Sequence, residues 1–273
     1  MAPYETWIAD LLMGEMAGIG FESFVETEDG FEAFIPEKSY KRESLSKILD
    51  NQDKGCTLTW CLSVVPAQNW NEIWEKNYFQ PLVISDMVVV RAPFHTDYPS
   101  CPLEIVIEPN MAFGTGNHET TSLMMEVMLK MDFKAKTVLD MGCGTGILAV
   151  LASKLGCLTA MAIDNDPWSF DAVSENMIIN NTPNVEPLLG DGNSIPDRKF
   201  DIILVNIQRN VILQDMEKYA VALHDGSYIL FSGFYQEDLP AILGKASTFN
   251  LTLSQNSVKN NWTVAVFQRQ ERP

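Results

Sequence analysis

The sequence predicts an α/β protein in which a mostly parallel, helix-covered sheet of seven strands follows a smaller α+β unit. Three observations predict it. From Thr121 onward, apolar runs of strand length alternate with helical patterns. A glycine-rich turn, "VLDMGCGTGILA" (Val138 to Ala149), joins one such strand to a helix. Ahead of residue 66 the pattern is instead helix, hairpin, helix, strand.

Taken in order, Ile8, Leu11, Leu12 and Met16 recur at helical spacing between Glu5 and Gly18, and Gly18 and Gly20 stop the helix. "FESFVE" and "FEAFIP" flank "TEDG", whose Asp-Gly signals a hairpin. "SYKRESLSKILD" reads as a helix and "CTLTWCLSVV" as a strand. This order matches a ferredoxin-like split β-α-β sandwich except at its opening strand, for which only Met1 to Tyr4 are available, so that strand is absent or the start is truncated. Residues 1–66 are therefore expected to form the front unit, 67–85 a linker helix carrying Trp70, Ile73, Trp74 and Phe79, and 86–273 the main domain. "MVVVRAPF" and "LEIVIEP" open that domain as strands. A helix at 118–130 follows, then the strands "TVLD", "TAMAID", 184–189, "FDIILVN", "GSYILFSG", "LTLSQN" and "WTVAVFQ". Helices separate all but the third and fourth and the closing pair, which supplies an antiparallel element.

The net charge of −17 repels phosphates and anionic membrane surfaces and favours a basic partner. Residues 1–66 hold 12 acids and 5 bases, more acidic per residue than the rest of the chain. Five cysteines without a Cys-x-x-Cys pair indicate neither a disulfide framework nor a zinc site, and a reducing cytoplasm is expected. The start carries Glu5, Asp10 and Glu15 where a signal peptide would be basic and then apolar. No apolar run approaches the roughly 18 residues that span a bilayer.

In the glycine-rich turn a strand ends at Asp140 and runs into Gly142, Gly144 and Gly146 before a helix begins. Glycine lets backbone approach a ligand where a Cβ would collide. Asp164 ends the next strand, 20 residues beyond Gly144, where a carboxylate accepts hydrogen bonds from ribose hydroxyls. Gly-x-Gly-x-Gly with a preceding acid departs from the Gly-x-Gly-x-x-Gly of dinucleotide sites. It suits S-adenosylmethionine, whose ammonium and sulfonium a nearby Asp140 would stabilise. Asn206 ends "FDIILVN", where its amide either accepts a hydrogen bond from a substrate amine or caps the next helix.

Together "EPNMAFGTGNHETT" (Glu108 to Thr121), "VLDMGCGTGILA", "AIDNDP" and "VNI" resemble the PrmA-type methyltransferases, which modify ribosomal protein L11. The resemblance covers nearly the whole chain and is strongest from about residue 66. It implies a class I seven-strand Rossmann-like methyltransferase domain behind a small ferredoxin-like domain that recognises the ribosomal protein. It also implies that Thr121, Gly142, Asp164 and Asn206 contact S-adenosylmethionine. No metal is required for the reaction, and a monomer is expected. His118 is either a base or a residue that orders its loop, and the second reading is favoured. Phe113 either walls the sulfonium or packs in the core. "NIQR" replaces the more apolar continuation usual after the asparagine, which puts Gln208 and Arg209 at the substrate mouth. The expected reaction is methyl transfer to lysine or α-amino nitrogens of L11. The alternatives are a methyltransferase of another substrate, a nicotinamide-dependent oxidoreductase and a non-catalytic nucleoside binder.

Overall fold

The computed structural model describes residues 6–27, 30–49, 58–64, 80–108 and 118–271. The expected linker helix before Pro81 and the "AFGTG" loop lie outside these residues. The chain divides into two units, Met1–Gln68 and Asn69–Pro273.

The first unit holds α1 (Thr6–Ala17), β1 (Ser23–Thr27), β2 (Gly30–Phe34) and α2 (Arg42–Leu49). The two strands pair antiparallel from Ser23↔Phe34 to Thr27↔Gly30, as the Asp-Gly signal predicts. Met16, Phe21 and Leu45 are buried together, with Phe24 and Phe31 packed against them. Of the strand expected at 56–65, the described residues 58–64 form none. Residues 58–64 pair with no described strand, and Trp60, Leu62 and Val64 are exposed. Alternation of Leu58, Trp60, Leu62 and Val64 mimics a strand, but a strand exists only where a neighbour supplies the ladder. Among the described residues this sheet has two strands, short of a ferredoxin-like sandwich.

The second unit opens with a three-stranded sheet of β3 (Leu82–Ile84), β4 (Val88–Arg91) and β5 (Leu103–Val106). The linker helix was expected to reach residue 85, yet Leu82–Ile84 pair antiparallel with Val88–Val90. The β-branched residues on both sides fit a ladder better than a helix. Side-chain amides fasten this sheet to the larger body. Asn180 bonds the backbone of Val106 at both its N–H and its C=O, and Asn176 Oδ1 accepts from Glu108 N at 3.0 Å.

Then come α3 (Glu119–Met128), β6 (Thr137–Met141), α4 (Ile147–Lys154), β7 (Thr159–Asp164), α5 (Pro167–Ile179), β8 (Val185–Leu189) and β9 (Phe200–Asn206). The chain closes with α6 (Arg209–Val221), β10 (Leu223–Tyr235), α7 (Leu239–Ser247), β11 (Leu251–Lys259) and β12 (Trp262–Arg269). All seven expected strands are present in one sheet, ordered β11-β12-β10-β9-β6-β7-β8. Pairing is parallel from β10 to β8, whereas β12 runs antiparallel and inserts between β10 and β11.

Two-sided burial explains why the strands read as continuous apolar runs. Along β9, Ile202 and Leu204 join the core that includes α3 and α4, whereas Ile203 and Val205 join the core that includes α6 and α7. Strand order reverses between β6 and β9, which opens a crevice at their carboxyl ends.

One glycine fixes the path of the chain above that crevice. In β10 the pairing with β12 shifts register between Phe231 and Phe234, and Gly233 lies in the shift with φ +91°. A Cβ there would lie 2.2 Å from the Ile207 carbonyl oxygen, which is backbone and has little freedom to withdraw. Gly233→Ala should therefore destabilise the fold by roughly 2 kcal/mol or more. Urea unfolding checks this, and an unchanged midpoint would show that the Ile207 segment yields freely.

Candidate functional site

A cavity of about 700 Å³ opens at the carboxyl ends of β6, β7, β8 and β9. The loop from Gly142 to Gly146 forms one wall. All three of its glycines are left-handed, with φ of +69°, +54° and +75°, a conformation that side chains disfavour. Space forbids side chains as well. A Cβ on Gly142 would come within 2.1 Å of Ile207 Cγ2, and one on Gly146 within 2.9 Å of Val173 Cγ2.

Asp164 pins this loop. Its Oδ2 accepts from Gly144 N at 2.9 Å, and its Oδ1 accepts from Asp166 N at 3.0 Å. Each carboxylate oxygen keeps a further lone pair, so Asp164 can serve the loop and a ligand hydroxyl together. Asp166 in turn caps α5 through Trp168 N, with Pro167 at the first helical position.

Asp140 is placed differently from the sequence reading. It is 1% exposed, beneath the loop rather than on the cavity wall, and its Oδ2 accepts from Ala149 N at 3.1 Å. Desolvation raises its pKa to about 7, and the neighbouring Asp164 adds to the rise. The same burial, with both carboxylates nearby, holds the Cys143 thiol well above its usual range, so it stays protonated and unreactive.

On the opposite side, His118 caps α3. Its Nδ1 lies 3.3 Å from Thr120 N, which donates to it, and 2.9 Å from Thr120 Oγ1. This contact caps the helix; the loop ahead of His118 lies outside the described residues. Thr120 and His118 line the cavity, whereas Thr121 is buried with its hydroxyl 3.3 Å from Asn206 Nδ2. The other amide atom, Asn206 Oδ1, is buried and has no hydrogen-bond partner among the described residues. A buried acceptor without a partner costs roughly 1–3 kcal/mol, which a ligand donor would recover. Asn206 does not cap the next helix, since that position belongs to Gln208.

Gln208 does line the cavity, but Arg209 turns away to pair with Asp238 at the start of α7. The structure thus brings Gly142, Asp164 and Asn206 together on one cavity, with Thr121 joined to Asn206. Phe113 lies outside the described residues.

Several wall residues were missed by sequence reasoning. The "GDG" after β8 contributes Gly190, Asp191 and Gly192. Asp191 starts a 3-10 turn by accepting from Asn193 N at 2.8 Å, and that bond, first among its causes, lowers its pKa. A Cβ on Gly192 would meet Asp215 Oδ2 at 2.7 Å. The repeated Gly-x-Gly after a strand was the available signal. Asp215 and Tyr219 reach the cavity from α6. Asp215 Oδ1 lies 2.7 Å from Lys218 Nζ, an ion pair by distance that lacks hydrogen-bond geometry. Burial, helped by Asp215 and Asp191, pushes the Tyr219 phenol well up. Trp262 was missed because its place depends on β12 running antiparallel, which sets its first residue beside the carboxyl ends of the parallel strands.

With this geometry in place, comparison with known proteins is decisive. Residues 17–270 match the family described as ribosomal protein L11 methyltransferase (PrmA). The chain belongs to that family. A relative from Porphyromonas gingivalis named ribosomal protein L11 methyltransferase is 45% identical over 260 residues, covering 94% of this chain and 90% of the relative. One of the same name from Phocaeicola vulgatus is 42% identical over 267 residues, covering 97% and 95%. The crystal structure of a ribosomal protein L11 methylase from Lactobacillus delbrueckii subsp. bulgaricus superposes with a TM-score of 0.66 at 26% identity. It covers 71% of this chain and 100% of that one. A methyltransferase from Pyrococcus furiosus shares the fold, with a TM-score of 0.52 at 18% identity, covering 61% and 90%. This PrmA-family chain is a protein methyltransferase with a Rossmann-like sheet. No helix among the described residues is long and apolar enough to cross a membrane.

Asp140 generates a pH prediction for the ligand-free protein. Its folded pKa lies above the unfolded value of 3.8, so folding favours the protonated acid. Its contribution is full below about pH 4 and is lost as pH rises through about 7, a change on the order of a few kcal/mol. Asp140→Asn keeps an acceptor for Ala149 N and should flatten this part of the profile. Urea titrations at pH 4, 5.5 and 7.5 measure it, and identical slopes for both proteins would contradict the burial argument.

Proposed function

We propose that this chain transfers methyl groups from S-adenosylmethionine to amine nitrogens, lysine or α-amino, of ribosomal protein L11. The observation that carries the reading is the convergence on one cavity of a turn built on three left-handed glycines, a carboxylate with spare lone pairs and an unpartnered amide oxygen. A dinucleotide would need its pyrophosphate at the start of α4, whereas here an acid lies beneath that turn. The family names carried by the relatives supply the protein substrate.

S-adenosylmethionine supplies a methyl group activated by a sulfonium. The residues proposed to form its site are Gly142 and Asp164 on the cavity wall, with Asn206 facing the transferred methyl and Thr121 behind Asn206. Asp164 accepts from the ribose hydroxyls while keeping its bond to Gly144 N, so loop and ligand order one another. Gly142 brings backbone against the ligand where a Cβ would already strike Ile207. Thr121 holds the Asn206 amide in place, and Asn206 Oδ1 accepts from the substrate amine and aims its lone pair. Asp191 offers an acceptor for the adenine amino group from the facing loop.

A lysine of pKa about 10.4 is neutral in only about one molecule in a few thousand at pH 7, so the amine must lose a proton first. Entry into a desolvated cavity lowers that pKa. His118 is committed to capping α3, and alignment supplies the rest of the rate without a dedicated base. The front unit, net −7 over residues 1–66, provides an acidic surface for a basic ribosomal protein.

Incubation with labelled S-adenosylmethionine and purified L11 tests the proposal, which expects label in L11. Asp164→Ala should weaken S-adenosylmethionine binding by about 1.5–3 kcal/mol, roughly ten- to over a hundredfold. Calorimetry showing unchanged affinity in a folded variant would remove Asp164 from the ribose.

A further inference from the structure

Beside Asn206 the cavity has an aromatic side that the methyl-donor site does not explain. β11 and β12 are joined by Asn260 and Asn261, both left-handed with φ of +49° and +69°, a two-residue hairpin turn. Its tip is clamped to α3, where Lys259 Nζ lies 3.3 Å from Glu126 and Asn260 Nδ2 lies 3.4 Å from Glu119. The clamp sets Trp262, the first residue of β12, on the cavity wall. Trp262 pairs across the sheet with Tyr235 and its ring lies 4.2 Å from the tyrosine ring. The His118 ring lies 5.0 Å from the indole in an edge arrangement. His118 bonds Thr120, and the adjacent Thr121 bonds Asn206, so contacts run unbroken from the indole to the unpartnered amide oxygen.

We infer that Trp262, braced by Tyr235 and His118, is the substrate-contacting wall that holds the amine nitrogen once it carries methyl groups, and so sets how many methyls are added. This rests on the methyl-transfer reading above.

The two sides of the cavity offer different chemistry. Asn206 Oδ1 can orient a nitrogen only through an N–H. A primary amine and its monomethylated form have an N–H to offer when neutral, but the neutral dimethylated amine, now tertiary, has none. In the transfer that makes a quaternary ammonium, the nitrogen lone pair forms the new N–C bond as the S–C bond breaks. The S–C pair stays on sulfur, and the positive charge passes from sulfur to nitrogen with no proton to lose. An aromatic face tolerates methyl groups and stabilises that charge through its quadrupole. The last transfer therefore depends on Trp262 and the first on Asn206.

Two measurements test this. The first is intact-mass counting of methyls on L11 over time for wild type, Trp262→Ala, Trp262→Phe and Asn206→Ala. Trp262→Ala should slow the final transfer at least about tenfold more than it slows the first. Trp262→Phe should recover most of the loss, and Asn206→Ala should show the opposite bias. Equal slowing of every step in Trp262→Ala, or a wild type that never forms the quaternary product, overturns the inference. The second needs neither L11 nor turnover. Saturation-transfer NMR compares choline with 3,3-dimethylbutan-1-ol, its uncharged carbon isostere. Wild type and Trp262→Phe should bind choline at least several-fold better than the isostere, and Trp262→Ala should lose the preference. Absence of that preference in wild type overturns the aromatic wall whatever the substrate. Failure of wild type to label L11 while the choline preference stands removes the L11 reading alone.

Discussion

The structure depends on a turn that no ordinary side chain could make. Between β6 and α4 the chain adopts left-handed conformations at Gly142, Gly144 and Gly146, and Asp164 at the end of the neighbouring strand grips Gly144 N. Three other elements converge on it. Ile207, just past β9, occupies the space of a Cβ at Gly142, Val173 of α5 occupies that at Gly146, and Gly233 of β10 lets its own chain pass over the Ile207 backbone. Close packing of this kind is what leaves a crevice of fixed shape where the strand order reverses.

Electrostatics follows from the same packing. Asp140 is buried beneath the loop and favours its protonated form, whereas Asp164 and Asp191 stand at the cavity with backbone N–H donors. Burial thus sets one acid beneath the turn apart from two that face the cavity, of which Asp164 also holds the turn. Such a cavity suits a ligand that carries positive charge rather than a pyrophosphate.

Much of this was legible in the sequence, because helix and strand periods differ and β9 and β10 are apolar on both faces. The Gly-x-Gly-x-Gly run, Asp164 and Asn206 could be placed from strand ends alone. What escaped depended on partners distant in the chain. Leu58, Trp60, Leu62 and Val64 alternate as a strand does, yet no described strand pairs with them. Leu82–Ile84 became a strand because Val88–Val90 return beside them. Trp262 reached the cavity only because β12 inserts antiparallel, which local pattern does not encode. Asp140 was assigned to the ligand from proximity in sequence, and only its 1% exposure shows that it lies below the turn.

The central claim is that this crevice is built for a sulfonium nucleoside. Calorimetric titration of the purified chain with S-adenosylmethionine, S-adenosylhomocysteine and NAD in parallel tests it most directly. The account predicts one site for each of the first two ligands and no heat of binding for NAD. Saturable binding of NAD, with none of S-adenosylmethionine, would contradict it.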